Sequence, residues 1–189
     1  GKLGALKYAR ENKIPTLGLC LGLQCMVIEV ARNLAGLKDA NSAEFDESTS
    51  NPVISTMSDQ IEIVAGHGQM GGSMRLGLYK ADLLAGSVVA GVYGKTQISE
   101  RHRHRYEVNP LMVNDLEDAG LRFVGRNTDS SGERMEIIEL EEVDHPYFVG
   151  AQFHPEFTSR PEKPSPLFLG LLQSCKSLHS PQIRREIGG

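Results

Sequence analysis

Two short stretches carry the residue types that acyl-transfer chemistry needs. In Gly18-Leu19-Cys20-Leu21-Gly22 a cysteine has glycine two residues away on each side. That is the spacing of a nucleophile elbow, where a strained strand-to-helix turn projects the side chain clear of the backbone and small neighbours let the turn close. A helix opening directly after Cys20 would aim the positive end of its dipole at the sulfur and favour thiolate. The Leu21 N–H would then face an oxyanion formed at the attacked carbon. A cysteine nucleophile also needs a base, and the base needs an orienting group. "FVGAQFHPEF" supplies both, since His154 and Glu156 leave the end of a buried apolar run and are separated by one proline.

The remaining cysteines and histidines have plainer readings. A cysteine in an apolar setting is ordinarily a small core residue, and without flanking glycines that is the reading for Cys25 and Cys175. His102 and His104 sit in "ERHRHRYEVN", a charge run that reads as a solvated surface; a zinc site there would want the paired cysteine spacing that this chain lacks. His67 falls in a glycine-rich loop, and His145 and His179 have no neighbour that argues for a role. "GHGQMG" matches a dinucleotide-binding pattern at Gly66, Gly68 and Gly71, but that site needs a helix at its third glycine. Instead Met74, Leu76 and Leu78 alternate like a strand.

The elements that must position these groups alternate between helix and strand. Leu3, Leu6 and Ala9 predict a helix over 2–12, and Pro15 precedes a short strand ending at Cys20. After Gly22, Leu23, Met26, Val27, Val30 and Leu34 recur at helical steps, with Gly36 as a C-terminal cap. Segments 52–57, 60–65, 74–79 and 88–93 read as strands or turns. "AGLRFVGRN" and "ERMEIIEL" read as a hairpin, and "PYFVGAQF" as a buried strand. Ser165 and Pro166 open a last helix with apolar residues at 167, 168, 171, 172, 175 and 178. The expected fold is α/β, three layers around a largely parallel central sheet with extra antiparallel strands. The tail 181–189 reads as loose.

Composition bounds the partners. The 189 residues suit one domain. Twenty basic against twenty-four acidic residues leave a net charge of -4, so no basic field draws nucleic acid or an anionic membrane. Three cysteines cannot all pair, and no apolar run of about 18 residues is present. A cytoplasmic, reducing compartment is expected.

"GLCLGLQ", "ANSAEFD", "GGSMRLG", "ERHRHRYEVN" and "QFHPEFTSRP", in this order across nearly the whole chain, resemble the class I glutamine amidotransferase domain of the CTP synthases, a flavodoxin-like fold. The cysteine and His-x-Glu segments point to the class; the arginine-histidine run and "GGSMRLG" point to this branch. The resemblance implies Cys20 as nucleophile toward the side-chain amide of L-glutamine, His154 as proton shuttle and Glu156 as its orienter. It implies that Gln24, Glu44 and the Arg105–Tyr106 backbone hold glutamine, that Leu21 is an oxyanion donor, and that Gly18 and Gly22 shape the elbow.

It further implies a domain spanning 1–180 with no cofactor or metal of its own. Ammonia would pass to a synthase domain of the same polypeptide, which uses ATP, magnesium and UTP, in an enzyme that is a homo-oligomer. GTP would act as allosteric activator, with Ser73 and Arg75 in the region implicated. The family carries a first strand and a glycine-rich oxyanion loop that are not in this sequence, and commonly has Thr at Ser73 and Met at Leu23. The same triad would serve an amidotransferase domain for GMP or carbamoyl phosphate synthesis, and a catalytically silent regulatory domain would keep the same fold.

Overall fold

The computed structural model describes residues 1–56, 74–130 and 132–178. Helix α1 (Lys2–Glu11) leads to strand β1 (Thr16–Leu19) and helix α2 (Leu21–Asn33). Short strands β2 (Asn41–Ser42) and β3 (Pro52–Ser55) follow, then β4 (Arg75–Leu83), α3 (Val88–Tyr93), β5 (Gln97–His104) and β6 (Glu107–Val108). The chain continues through α4 (Val113–Asp118), β7 (Arg122–Asp129), β8 (Gly132–Glu139), β9 (Phe148–Ala151) and α5 (Pro166–Leu178). The expected strand 60–65, the "GHGQMG" glycines, Ser73, His179 and the tail lie outside the described residues.

A six-stranded sheet runs β1-β9-β8-β7-β4-β5, and a smaller one runs β2-β3-β6. Adjacent residues in the large sheet feed different cores, since side chains alternate across a strand. Phe123, Ile138 and Phe148 join α2, whereas Val124, Ile137 and Val149 join Leu167 of α5 and Val89 of α3. The result is three layers, helix on sheet on helix, as expected. The sheet itself is mixed rather than largely parallel. Its parallel pair among the described residues is β1–β9, and the other neighbours are antiparallel. The β7–β8 hairpin turns directly between Asp129 and Gly132, a connection too short to return a strand parallel.

Residues 88–93, read as strand or turn, form a helix. The Ser87 hydroxyl accepts from Ala90 N at 3.0 Å, Gly94 closes the helix in the left-handed region, and the buried Glu139 carboxylate accepts from Val88 N and Val89 N. A partner from β8 thus supplies what six residues of weak propensity lack.

The two strands that bear on the chemistry are fixed by a bare patch. Gly18 on β1 stands opposite Gly150 on β9. A Cβ at Gly18 would lie 2.7 Å from the Gly22 carbonyl carbon and overlap the Met26 sulfur. One at Gly150 would lie 2.7 Å from Ile138 Cγ1 and 3.2 Å from Leu23 Cβ. Helix α2 therefore settles onto these strands with Leu23 and Met26 fully buried. The expected steric demand at Gly22 is different: its own Cβ would meet nothing within 4 Å. We expect Gly18→Ala to lower unfolding free energy by about 1–3 kcal/mol through overpacking. Gly22→Ala should instead leave stability unchanged or raise it by up to about 1 kcal/mol through helix propensity. Denaturant unfolding of both variants checks this, and equal losses would contradict it.

Candidate active site

Cys20 is the hinge between β1 and α2. Its φ of 50° with ψ of -105° is a conformation side chains rarely adopt, a strain on the order of 1–3 kcal/mol that surrounding contacts must hold. Cys20 N donates to Ala151 O at 2.8 Å, so the elbow is tied to the end of β9. His154 follows three residues later on that neighbouring strand's exit, and its N–H donates to Arg101 O at 2.9 Å. Its Nδ1 bonds Glu156 Oε1 at 2.7 Å, and its ring stacks on Phe157 at 4.9 Å. The carboxylate thus fixes the imidazole's orientation and leaves Nε2 for proton transfer.

A cavity of about 390 Å³ opens at the sulfur. It is lined by Cys20, Leu21, Gln24, Glu44, Arg105 and Tyr106, together with Phe45, Met74, Arg103 and His104. The four positions expected to hold glutamine and the expected oxyanion donor Leu21 thus share one pocket with Cys20. Gln24 is buried and its Nε2 donates to Tyr106 O at 2.9 Å. Glu44 rides a turn pinned by its own N–H on Ser42 Oγ at 3.2 Å and by Ala43 N on Ile54 O at 2.9 Å. A larger cavity of about 780 Å³ lies elsewhere, against Leu83, Phe123 and Arg126, and contains no sulfur or imidazole.

The thiol is not activated in the way the sequence suggests. Burial pushes Cys20 above the ordinary thiol range, and the Glu156 and Glu44 carboxylates push the same way. Only the Leu21 N–H and the Gln152 amide pull it down. The helix start is present, yet desolvation outweighs it. Cys25, inside α2, is raised by burial as well. No disulfide joins Cys20, Cys25 or Cys175.

The charge run is not a solvated surface. Along β5 burial alternates, with Glu100, His102 and His104 turned inward and Arg101 and Arg103 outward. His102, His104 and Glu136 bring ligand-type atoms within 4.8 Å, the place a zinc reading would need. Within the cluster His102 Nδ1 meets His104 Nε2 at 2.9 Å, and the Arg75 guanidinium bonds Glu136 directly. Burial, then Arg75, pushes His102 down to about 2 and His104 down to about 3, so both rings are neutral and joined by one hydrogen bond. Glu107, 3.9 Å from Arg75, is pushed by burial up to about 7.

Arg75, expected in the GTP-responsive region, is 7% exposed. It points inward onto Glu136 and over the Tyr79 ring at 4.1 Å, so its guanidinium is not presented to a nucleotide. His145 is structural, its ring bonding Ala9 O and accepting from Tyr147 N.

Sequence reasoning missed Gln152, 1% exposed, whose Nε2 lies 3.7 Å from Cys20 Sγ. The signal was there: a lone polar side chain inside "FVGAQF" must find a partner when buried. Arg103 was missed too, and its carbonyl is 4.0 Å from the same sulfur.

The chain matches the family described as Glutamine amidotransferase class-I over residues 1–174. It is similar to a CTP synthase of Streptomyces avermitilis, 58% identical over 177 residues that cover 93% of this chain and 32% of that protein. A CTP synthase of Leifsonia xyli subsp. xyli is 59% identical over 172 residues, 91% of this chain and 30% of that protein. This chain thus spans about a third of the length of these curated relatives. Among solved structures, the glutaminase domain of Trypanosoma brucei CTPS with bound acivicin superposes with a TM-score of 0.83 at 38% identity, covering 93% of this chain and 65% of that one. A putative GMP synthase subunit from Thermoplasma acidophilum, at 17% identity and a TM-score of 0.54, shares the fold. With a cysteine elbow, a carboxylate-bound imidazole just past the adjoining strand and a match along nearly its whole length, this chain belongs to the class-I glutamine amidotransferases.

Proposed function

We propose that this chain is the glutaminase part of a CTP synthase. The observation that carries the reading is the convergence of Cys20, Leu21, Gln24, Glu44, Arg105 and Tyr106 on one cavity beside the exit of β9. In this reading the Cys20 sulfur attacks the side-chain amide carbon of glutamine as its proton passes to His154. The sulfur–carbon bond forms, and negative charge gathers on the oxygen near Leu21 N–H. His154 then returns the proton to the nitrogen, the carbon–nitrogen bond breaks, and ammonia leaves. Water, deprotonated by His154, hydrolyses the thioester to glutamate. Glu156 holds the imidazole and stabilises its charged form.

The rest of a protein about three times this length would receive the ammonia and use ATP, magnesium and UTP to make CTP. The high identity to CTP synthases supports that choice over GMP or carbamoyl phosphate synthesis. GTP would act as activator in the whole enzyme; Ser73 lies outside the described residues, and Arg75 faces inward. No helix among the described residues is long and apolar enough to cross a membrane; the whole enzyme would be a cytoplasmic homo-oligomer.

Three outcomes test the reading in the full-length protein. Acivicin should label Cys20 and spare Cys25 and Cys175, because Cys20 is the cysteine lining the cavity; peptide mass spectrometry showing Cys25 labelled first would contradict the elbow assignment.

Cys20→Ala should abolish glutamine-dependent CTP formation while ammonia-dependent formation persists. Loss of both would make Cys20 structural, and retention of both would remove Cys20 as the nucleophile.

Glu44 faces a pocket that must take the ammonium of free glutamine, a charge-assisted contact of roughly 1.5–3 kcal/mol. It is made equally in ground and transition states. Glu44→Ala should therefore raise KM about tenfold or more with kcat nearly unchanged, whereas His154→Ala should lower kcat with little effect on KM. Steady-state kinetics showing one pattern for both would overturn the assignment of Glu44.

A further inference from the structure

We infer that Gln152 is a positioning residue for the nucleophile: its side-chain amide, held in one orientation by Gln24 and the Tyr106 carbonyl, donates to the Cys20 sulfur and stabilises it as thiolate. The inference rests on Cys20 being the nucleophile and adds a residue that lies outside the substrate cavity.

The orientation follows from a group that cannot flip. Tyr106 O is a backbone carbonyl and only accepts, so the Gln24 atom 2.9 Å from it must be the NH2 nitrogen. That same nitrogen is 3.4 Å from the Gln152 side chain. With its NH2 already the donor, Gln24 obliges the facing Gln152 atom to be the acceptor, Oε1. The other end of the Gln152 amide, 3.7 Å from Cys20 Sγ, is therefore Nε2 and a donor. The backbone N–H of Gln152 donates to Glu136 O at 2.8 Å, which anchors the strand beneath it. The Tyr106 carbonyl also receives His104 Nδ1 at 3.2 Å, so it is held from two sides.

The other polar neighbour of the sulfur favours the opposite state. Arg103 O, 4.0 Å away, only accepts, and so suits the S–H form. Cys20 thus lies between an acceptor that suits the thiol and a donor that suits the thiolate. When the proton leaves for His154, the bond to Arg103 is lost and the Gln152 amide takes up the charge, with the Leu21 N–H on the helix side. A buried amide costs free energy unless it is paired, and Gln152 is 1% exposed. Its full burial beside the sulfur, but outside the cavity lining, marks it as serving Cys20 rather than glutamine.

The test reads the thiol directly and does not depend on glutamine turnover. In the full-length protein, the rate of Cys20 alkylation by iodoacetamide is followed against pH by peptide mass spectrometry. Gln152→Met keeps the volume and removes the donor, and its alkylation midpoint should move up by about half to one pH unit. Gln152→Glu places a carboxylate oxygen where Nε2 stood and should move it further up, whereas Gln152→Asn, which keeps an amide, should fall between Gln152→Met and the native protein. Glutamine KM should stay near native in Gln152→Met while kcat falls about threefold to tenfold at neutral pH. Ammonia-dependent CTP formation and near-ultraviolet circular dichroism report folding in each variant. Superimposable alkylation profiles for native, Gln152→Met and Gln152→Glu proteins would overturn the inference, as would a rise in KM with kcat unchanged. If Cys20→Ala retains glutamine-dependent synthesis, the glutaminase reading fails while the alkylation profiles still decide whether Gln152 tunes this thiol.

Discussion

Where β1 and β9 run side by side, Gly18 stands opposite Gly150, and the lack of both Cβ atoms lets α2 lie closer to the sheet than side chains would permit. Much of the site geometry descends from that approach. Leu23 and Met26 pack onto the strands, the chain must turn within one residue, and that residue, Cys20, takes a positive φ. Packing of α2, rather than any preference of cysteine, holds the strain. Because β1 and β9 are parallel, both strands end at the same edge. The nucleophile candidate and the imidazole therefore emerge together although 134 positions separate them in the chain.

The opposite wall of the cavity depends on a polar interior. Residues 103–106 are held by inward-facing His102 and His104 and by the Tyr106 carbonyl, while Arg75 and Glu136 close the network from β4 and β8. Two neutral imidazoles bonded to each other and the Arg75–Glu136 pair carry this network, while Arg75 Nε and Glu136 Oε2 are buried without a hydrogen bond. Arg75 is thus one end of a continuous chain of contacts that reaches the cavity at Cys20. Its inward placement makes Arg75 part of the support for that wall.

Local pattern made part of this legible. The glycine spacing around Cys20, the proline between His154 and Glu156, the β7–β8 hairpin and the apolar face of α5 each follow from interactions within a few residues, and the structure keeps them. The positions expected to hold glutamine came from resemblance, since nothing in the local sequence of Glu44 distinguishes it from an exposed acid. What stayed illegible depends on partners far along the chain. Helix α3 needs Glu139 from β8, and the inward half of "ERHRHRYEVN" needs Arg75 and Glu136. Alternation was visible in that run, but charged and imidazole side chains on both faces concealed which face was buried. Glycine at 22 looked like a steric necessity, whereas the close contact belongs to Gly18.

The same nonlocality decides the state of Cys20. A helix start read from sequence predicts a thiolate; the folded site sets burial and two carboxylates against it. Desolvation penalises the charged form whatever the dipole offers, so the resting group is a thiol bonded toward Arg103 O. In the proposed reading, glutamine brings an ammonium to Glu44 and neutralises one of those two carboxylates. Substrate arrival then removes a field that opposes ionisation, while the Leu21 and Gln152 donors remain in place. A thiol that ionises most readily with glutamine in the pocket is protected from other electrophiles at rest. That protection follows from the placement of Glu44 on the cavity wall, and a solvent-exposed elbow of identical sequence would not have it.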